Sequence, residues 1–317
     1  MEEPQRRDAT AVLVIAGPTA SGKSEAGVTI AEQLGGEVVS ADSVQVYRGF
    51  DIGSAKPTAQ EQRGVRHHLL DVLTPEQTWD AAHFASHADA AIDDIHRRGA
   101  LPVVVGGTGL WLRALIRGLV DAPRPDPAVR AQLEAEVATR GAPSMHDELR
   151  AVDPDAATAI HPNDALRIVR ALEVYRQTGK PLGALRRAHA LGAPRYKTLF
   201  VVIDPGEASA ARIDARFEAM LGRGLLDEVR ALLAAHGPDV RPFGSVGYRQ
   251  AKDHVAGAIS ADEMRRSATQ ATRVYARRQR TWFRSEPGID WRTTPAELLS
   301  AAGIERISAW RAAPREP

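Results

Sequence analysis

Residues Ala11–Ser24 read AVLVIAGPTASGKS, an apolar run followed at once by a loop that fits G-x-x-x-x-G-K-[ST]. The run Ala11–Ala16 is short, rich in β-branched residues and closed by glycine and proline. That is the pattern of a strand buried on both faces of a parallel sheet. Ser24–Leu34 then reads as a helix ended by Gly35-Gly36. The loop between them, Gly17-Pro18-Thr19-Ala20-Ser21-Gly22-Lys23-Ser24, sits where a phosphate-gripping loop must sit. Its glycines let the chain turn so that successive N–H groups point at an anion, and the helix start adds partial positive charge. Lys23 would reach the outer phosphate oxygens, the Ser24 hydroxyl would coordinate Mg²⁺, and Thr19 would add a hydroxyl donor. Such a loop takes a polyphosphate or a diphosphate without saying which. Nucleoside triphosphates are the default, so a P-loop kinase or NTPase acting on a small molecule or nucleic acid stays open.

Working outward, a second strand is expected at Glu37–Ser40. A helix over His83–Arg98 leads to a third strand, Leu101–Val105, which ends in Gly106-Gly107-Thr108-Gly109. Strands alternating with helices imply an α/β fold: a P-loop NTPase-like parallel sheet flanked by helices. The pattern changes at Asp121, where DAPRPDP gives a boundary signal. Ala128 to about Ala190 reads as helical, and Leu199–Ile203 returns as a buried strand ending in Asp204-Pro205. The expected organisation is a catalytic core of 11–121 and 196–290, a helical insertion domain at 122–195, and a C-terminal tail at 291–317.

In open α/β sheets the site lies beyond the carboxyl ends of the strands. Asp42, after the second strand, is placed to accept a proton from a nucleophile or to hold a metal. Ala41-Asp42-Ser43 is equally turn chemistry. Thr108, taken alone, reads as a cap for the helix that follows. The third strand lacks the terminal Asp with which ATPases hold Mg²⁺, which weakens the ATPase alternative.

With 317 residues, 44% hydrophobic and 26% charged, the composition is that of a globular protein, and the net charge of +1 says nothing of nucleic acid. The absence of cysteine excludes disulfides, thiolate metal sites and thiol catalysis. Met1–Thr10 has no signal-peptide character, and no run is long and apolar enough for a membrane helix. A cytoplasmic protein with no membrane partner is expected. His67, His68, His83, His87 and His96 lack the glutamate of a zinc-protease motif and read as surface histidines. Residues 265–284 carry seven arginines and no acid, with Tyr275, Trp282 and Phe283 interleaved. Arg266, Arg273, Arg277, Arg280 and Arg284 fall broadly on one helical side, the footprint of a phosphate-backbone contact or of a basic surface helix. Arg212 and Arg216, four apart on a helix, could add positive charge near the loop or lie on a solvated face.

The strings GPTASGKS (Gly17–Ser24), SADSVQVYRGFDIGSAKP (Ser40–Pro57), GGTGLW (Gly106–Trp111), HPNDALRIVRALEVYRQTGK (His161–Lys180) and SVGYRQ (Ser245–Gln250) together resemble the bacterial tRNA dimethylallyltransferases, also called tRNA isopentenyltransferases. The matches run in family order over roughly residues 12–285. The resemblance implies transfer of a dimethylallyl group from dimethylallyl diphosphate to N6 of the adenosine 3′-adjacent to the anticodon of tRNA, giving N6-isopentenyladenosine and diphosphate. It implies that Gly17–Ser24 grips diphosphate and that Asp42 is the general base; the loop's own chemistry adds Thr19 and Lys23 as the expected catalytic partners and Mg²⁺ on Ser24 as the expected cofactor. For tRNA it implies contacts from Asp42, Ser43, Val44 and Gln45, and from Thr108 near the target base. Further contacts fall on Leu166, Arg167, Ile168, Val169 and Arg170, on Gly247, Tyr248 and Arg249, and on Arg130. The insertion would be the tRNA-binding part, and the enzyme a monomer. Trp111 departs from the tyrosine of the family's GGTGLY but keeps an aromatic ring.

Overall fold

Strand β1 is longer than its apolar run, covering Arg7–Ala16 in the computed structural model, which describes residues 7–120, 122–189, 194–206 and 209–314. Asp121 and Ala190, where the sequence pattern changes and the helical run closes, lie outside the described residues. Along β1, Val12, Val14 and Ala16 join one apolar cluster, and Leu13 and Ile15 join another on the opposite face. With both faces covered, the strand shows an unbroken apolar run where a half-exposed one would alternate.

The chain continues through α1 (Lys23–Leu34), β2 (Gly36–Ala41), α2 (Ala59–Gln62), β3 (His67–His68), α3 (Ala81–Arg97), β4 (Leu101–Gly106) and α4 (Gly109–Arg117). Five helices follow: α5 (Pro127–Arg140), α6 (Ala142–Val152), α7 (Pro154–Ala159), α8 (Ala165–Thr178) and α9 (Leu182–His189). Then come β5 (Tyr196–Ile203), α10 (Ser209–Gly222), α11 (Leu225–His236), α12 (Tyr248–Val255), α13 (Ala261–Ser285), β6 (Trp291–Thr293), α14 (Pro295–Leu298) and α15 (Ala301–Ala312). The six-stranded sheet has the order β3-β2-β4-β1-β5-β6, and every neighbouring pair is parallel. The register sets Gly106 beside both Ala16 and Ala41, and Val202 beside Ala16. The loops after β1, β2, β4 and β5 therefore leave the sheet along one edge.

The chain divides into two compact units, Met1–Ile116 with Pro194–Pro317, and Arg117–Ala193. The second is helical and has its own apolar cluster around Leu133, Met145, Leu149, Ile168 and Leu172. Inside it, buried His146 donates from Nε2 to Ala157 O and Ile160 O, both at 2.9 Å. Residues expected to form a separate tail instead complete the first unit. β6 pairs with Val201–Ile203, and Leu298 and Ile307 enter the cluster on the Leu13 face. A three-residue strand carries too little pattern to be read from sequence, and the same holds for His67-His68.

Candidate active site

The loop after β1 changes handedness twice. Ala20 takes φ 61° and Gly22 φ 86°, with right-handed backbone resuming in α1. Such alternation turns successive N–H groups to one side and forms an anion cradle. For Ala20 the left-handed conformation is costly and is held by its surroundings. Lys23 folds back over the loop, its Nζ donating to Pro18 O at 3.2 Å. Burial pushes its ammonium down from 10.5 to about 8; the charge of Arg216 adds to this and that of Asp42 opposes it. Arg216 is likewise lowered by burial, against the raising effect of Asp42 and Glu61. Two cations crowded beside one loop in partly dehydrated surroundings are unfavourable until an anion arrives between them.

Asp42 does two things with its two oxygens. Oδ1 accepts from Val44 N at 2.8 Å and Gln45 N at 3.2 Å, the turn chemistry that the sequence left as an alternative. Oδ2 has no hydrogen-bond partner among the described residues. Thr108 does not cap α4 with its hydroxyl: Oγ1 accepts from Ser43 N at 3.3 Å and ties the loop after β4 to the loop after β2.

A cavity of about 390 Å³ brings Thr19, Lys23, Ser24, Asp42, Ser43 and Arg216 together. Its apolar wall comes from Ile213, Phe217 and Met220 on α10, with Tyr275 from α13. Burial, and the charge of Asp42, push the Tyr275 phenol upward, so it stays protonated. A second cavity, about 620 Å³, lies against Gly22, Glu25, Glu61 and Arg63 and shares Lys23, Ser24, Pro57 and Arg216 with the first. The three polar residues among these, Lys23, Ser24 and Arg216, are thus reached from two sides. Arg212 is exposed and lines neither cavity, so the two arginines paired by sequence separate in role.

The other expected contact residues divide by burial. Gln45 is 9% exposed, with its amide used internally on Ser54 O, Ala55 O and Ser40 Oγ. Ile168 and Val169 are in the core of the helical unit, whereas Leu166 is 70% exposed and Arg167 is exposed beside Asp164. Arg170 binds buried Glu173 and Pro123 O, and Arg130 pairs with Glu134. Gly247 and Tyr248 are buried while Arg249 is exposed. On α13, Arg266, Arg273 and Arg280 are paired with Glu263, Asp214 and Asp204. Phe283 is buried, and Arg113 lies 4.4 Å over the Trp282 ring. Arg277, Arg278 and Arg284 are exposed and have no partner among the described residues. His68, His83 and His87 bond to Glu37, Asp80 and the His83 carbonyl. Among the described residues no His/Asp/Glu cluster of three could hold a metal.

Sequence reasoning missed Gln279, Glu228 and the α10 wall. Gln279 left one signal, a neutral polar residue on the stripe Met264, Ala268, Ala276, Phe283 that α13 buries.

The family model described as IPP transferase matches residues 45–286. The chain belongs to the IPP transferase family. Among relatives, it is 49% identical over 292 residues to a tRNA dimethylallyltransferase of Anaeromyxobacter sp. (strain K), covering 92% of this chain and 95% of the relative. It is 46% identical to that of Geobacter metallireducens, covering 93% and 96%. Among solved structures, the tRNA isopentenylpyrophosphate transferase of Bacillus halodurans superposes with TM-score 0.68 at 36% identity, covering 96% of each chain. A eukaryotic dimethylallyltransferase acting on tRNA superposes with TM-score 0.74 at 30% identity, covering 86% of this chain and 70% of that one. Within the family's shared α/β fold, the two cavities beside the loop after β1 make this strand-end edge the candidate site.

Proposed function

We propose that this member of the IPP transferase family is a monomeric, cytoplasmic enzyme that transfers a dimethylallyl group from dimethylallyl diphosphate to N6 of the adenosine 3′-adjacent to the anticodon of tRNA. The observation that carries this is one cavity lined both by Thr19, Lys23 and Ser24 of the loop after β1 and by Asp42, whose Oδ2 is unengaged among the described residues. The N6 lone pair is delocalised into the purine, so the amine needs help to attack. The C–N bond forms as the allylic C–O bond breaks, and that electron pair leaves on the diphosphate oxygen. The N6 proton passes to Asp42 Oδ2, general-base help worth about 10²–10⁴-fold. Lys23, Arg216, the loop N–H groups and the Thr19 hydroxyl meet the charge that grows on the leaving group, and one such donor is worth about 3 kcal/mol in a dry site. Donor and RNA can enter by the two cavities that share Lys23, Ser24 and Arg216.

Mg²⁺ suits the oxygen donors here. Ser24 lines both cavities and would supply one ligand, with diphosphate oxygens and water completing the shell, as this ion prefers. When bound it would neutralise diphosphate charge.

For RNA, the exposed Arg167, Arg249, Arg277, Arg278 and Arg284 are the groups available to phosphates, and we assign the unit Arg117–Ala193 to tRNA binding. The buried members of the expected contact segments would act by shaping these surfaces.

A kinase is disfavoured by one observation. β4, which pairs with β1, ends in Gly106-Gly107-Thr108 without the terminal Asp that ATPases use to hold Mg²⁺. Incubation with labelled dimethylallyl diphosphate, Mg²⁺ and bulk tRNA should put label on tRNA. Label that stays off tRNA, with phosphoryl transfer from ATP instead, would reverse the assignment.

A further inference from the structure

We infer that Gln279 is a positioning residue that sets the phosphate loop against the base-bearing strand end; this rests on the dimethylallyl transfer proposed above. Gln279 is 7% exposed on the buried stripe of α13. A primary amide there is costly unless both its ends are bonded. Both are. Oε1 accepts from Thr19 N at 2.8 Å, and Nε2 donates to Gly107 O at 2.9 Å. Among the described residues it is the one side chain hydrogen-bonded to both loops. A Cβ on Gly107 would stand 2.5 Å from Gln279 Nε2, so residue 107 has no room for a side chain while this bond exists.

The connection runs on from Gly107. The next residue, Thr108, accepts from Ser43 N through Oγ1 and donates its own N–H to Ala41 O at 3.4 Å, gripping both neighbours of Asp42. One bonded path therefore links Thr19, on the donor side, to Asp42, on the acceptor side, with the Gln279 amide as its central link. The Thr19 N–H is also withdrawn from the anion cradle, leaving the amides further along the loop to hold diphosphate. The length of this side chain fixes the separation of leaving group and base. An error of about 1 Å in such a separation costs about 10²-fold in rate without weakening the binding of either substrate.

Gln279→Met keeps the length of the side chain and removes both bonds. In the labelled-donor assay its kcat should fall about 100-fold, with KM for dimethylallyl diphosphate and for tRNA each within about twofold of the parent. A kcat close to the parent's, or a rise in either KM with kcat kept, overturns the inference, the second outcome making Gln279 a substrate contact. Should this variant melt below the assay temperature, Gln279→Glu serves in its place. Its carboxylate can accept from Thr19 N but repels Gly107 O until protonated. The ratio of its kcat to the parent's should climb as pH falls; a ratio independent of pH overturns the inference. A parent that moves no dimethylallyl group overturns the proposed function itself and this inference with it, whereas a normal parent beside an unaffected Gln279→Met removes this inference alone.

Discussion

Asp42 divides its work between two oxygens, and that division sets what its replacement does. Asp42→Asn keeps an oxygen for the amides of Val44 and Gln45 and removes the proton acceptor. Its kcat should drop about 10²–10⁴-fold with KM for the prenyl donor retained, read from steady-state rates on tRNA. Lys23 gives a pH-dependent prediction. Free Lys23 loses its proton near pH 8, against 10.5 for an unburdened lysine. Between these values the unfolded chain holds more protons than the folded one, so the stability of the free enzyme rises with pH across the window. Donor binding runs the opposite way, because diphosphate needs the ammonium. kcat/KM for dimethylallyl diphosphate should fall as pH rises through about 8, and calorimetry in two buffers should show proton uptake on binding. Lys23→Ala should bind weakly at every pH and lose that uptake; an unchanged uptake would move the titrating group elsewhere. The residues of the loop were legible because a strand, glycines, lysine and serine at fixed spacing leave few other solutions. The shifted lysine was not, since its burial, the larger cause, and the charge of Arg216, almost two hundred positions away, both arise only in the folded chain.

The segment Asp51–Pro57, which contributes to the lining of both cavities, is held by α11 and α12. Glu228 Oε2 accepts from Ile52 N at 2.7 Å and Asp51 N at 3.1 Å, and Oε1 from Tyr248 Oη at 2.5 Å and Gly53 N at 3.3 Å. Glu228→Ala would leave Ile52 N and the Tyr248 hydroxyl without their acceptor, each costing about 1–3 kcal/mol, while Gly53 N keeps Tyr248 Oη at 3.1 Å. Taking a net loss of about 3 kcal/mol, its melting temperature should fall by roughly 6–12 °C. Tyr248→Phe removes one donor and should cost about 1 kcal/mol. Circular dichroism melts decide both. Tyr248 also shows why sequence strings inform place better than role. The SVGYRQ stretch reaches the first cavity through Ser245, Val246 and Gly247, yet the Tyr248 ring is fully buried against Phe50 and its hydroxyl serves Glu228. The same holds on α8, where a single helical turn alternates exposed Arg167 with buried Ile168 and Val169. Side-chain direction follows from the helix phase, which a motif string does not carry. Arg167→Ala should accordingly raise KM for tRNA and leave KM for the donor alone; equal effects on both would argue against an RNA contact.

For the molecule as a whole, the parallel sheet was legible because β1, β4 and β5 are apolar on both faces and so declare themselves without reference to their neighbours. The edges were not. β3 and β6 are two and three residues long, and their place is set by pairing with strands already present. The closing segment matters for stability even so. Ile307 is fully buried against the Leu13 face, and Ile307→Ala should cost about 2–5 kcal/mol with both KM values unchanged. The strand order carries one more consequence, for how the chain is made. β1 lies between β4 and β5, yet in the chain the whole helical unit separates it from β5. During synthesis the first strand waits for a partner that emerges long after it, and such non-local pairing is slow and exposes apolar edges in the interval. A growing polypeptide that already contains Gly17–Ser24 still lacks the walls from α10 and α13, so competence to handle a prenyl donor should come only when translation is nearly finished.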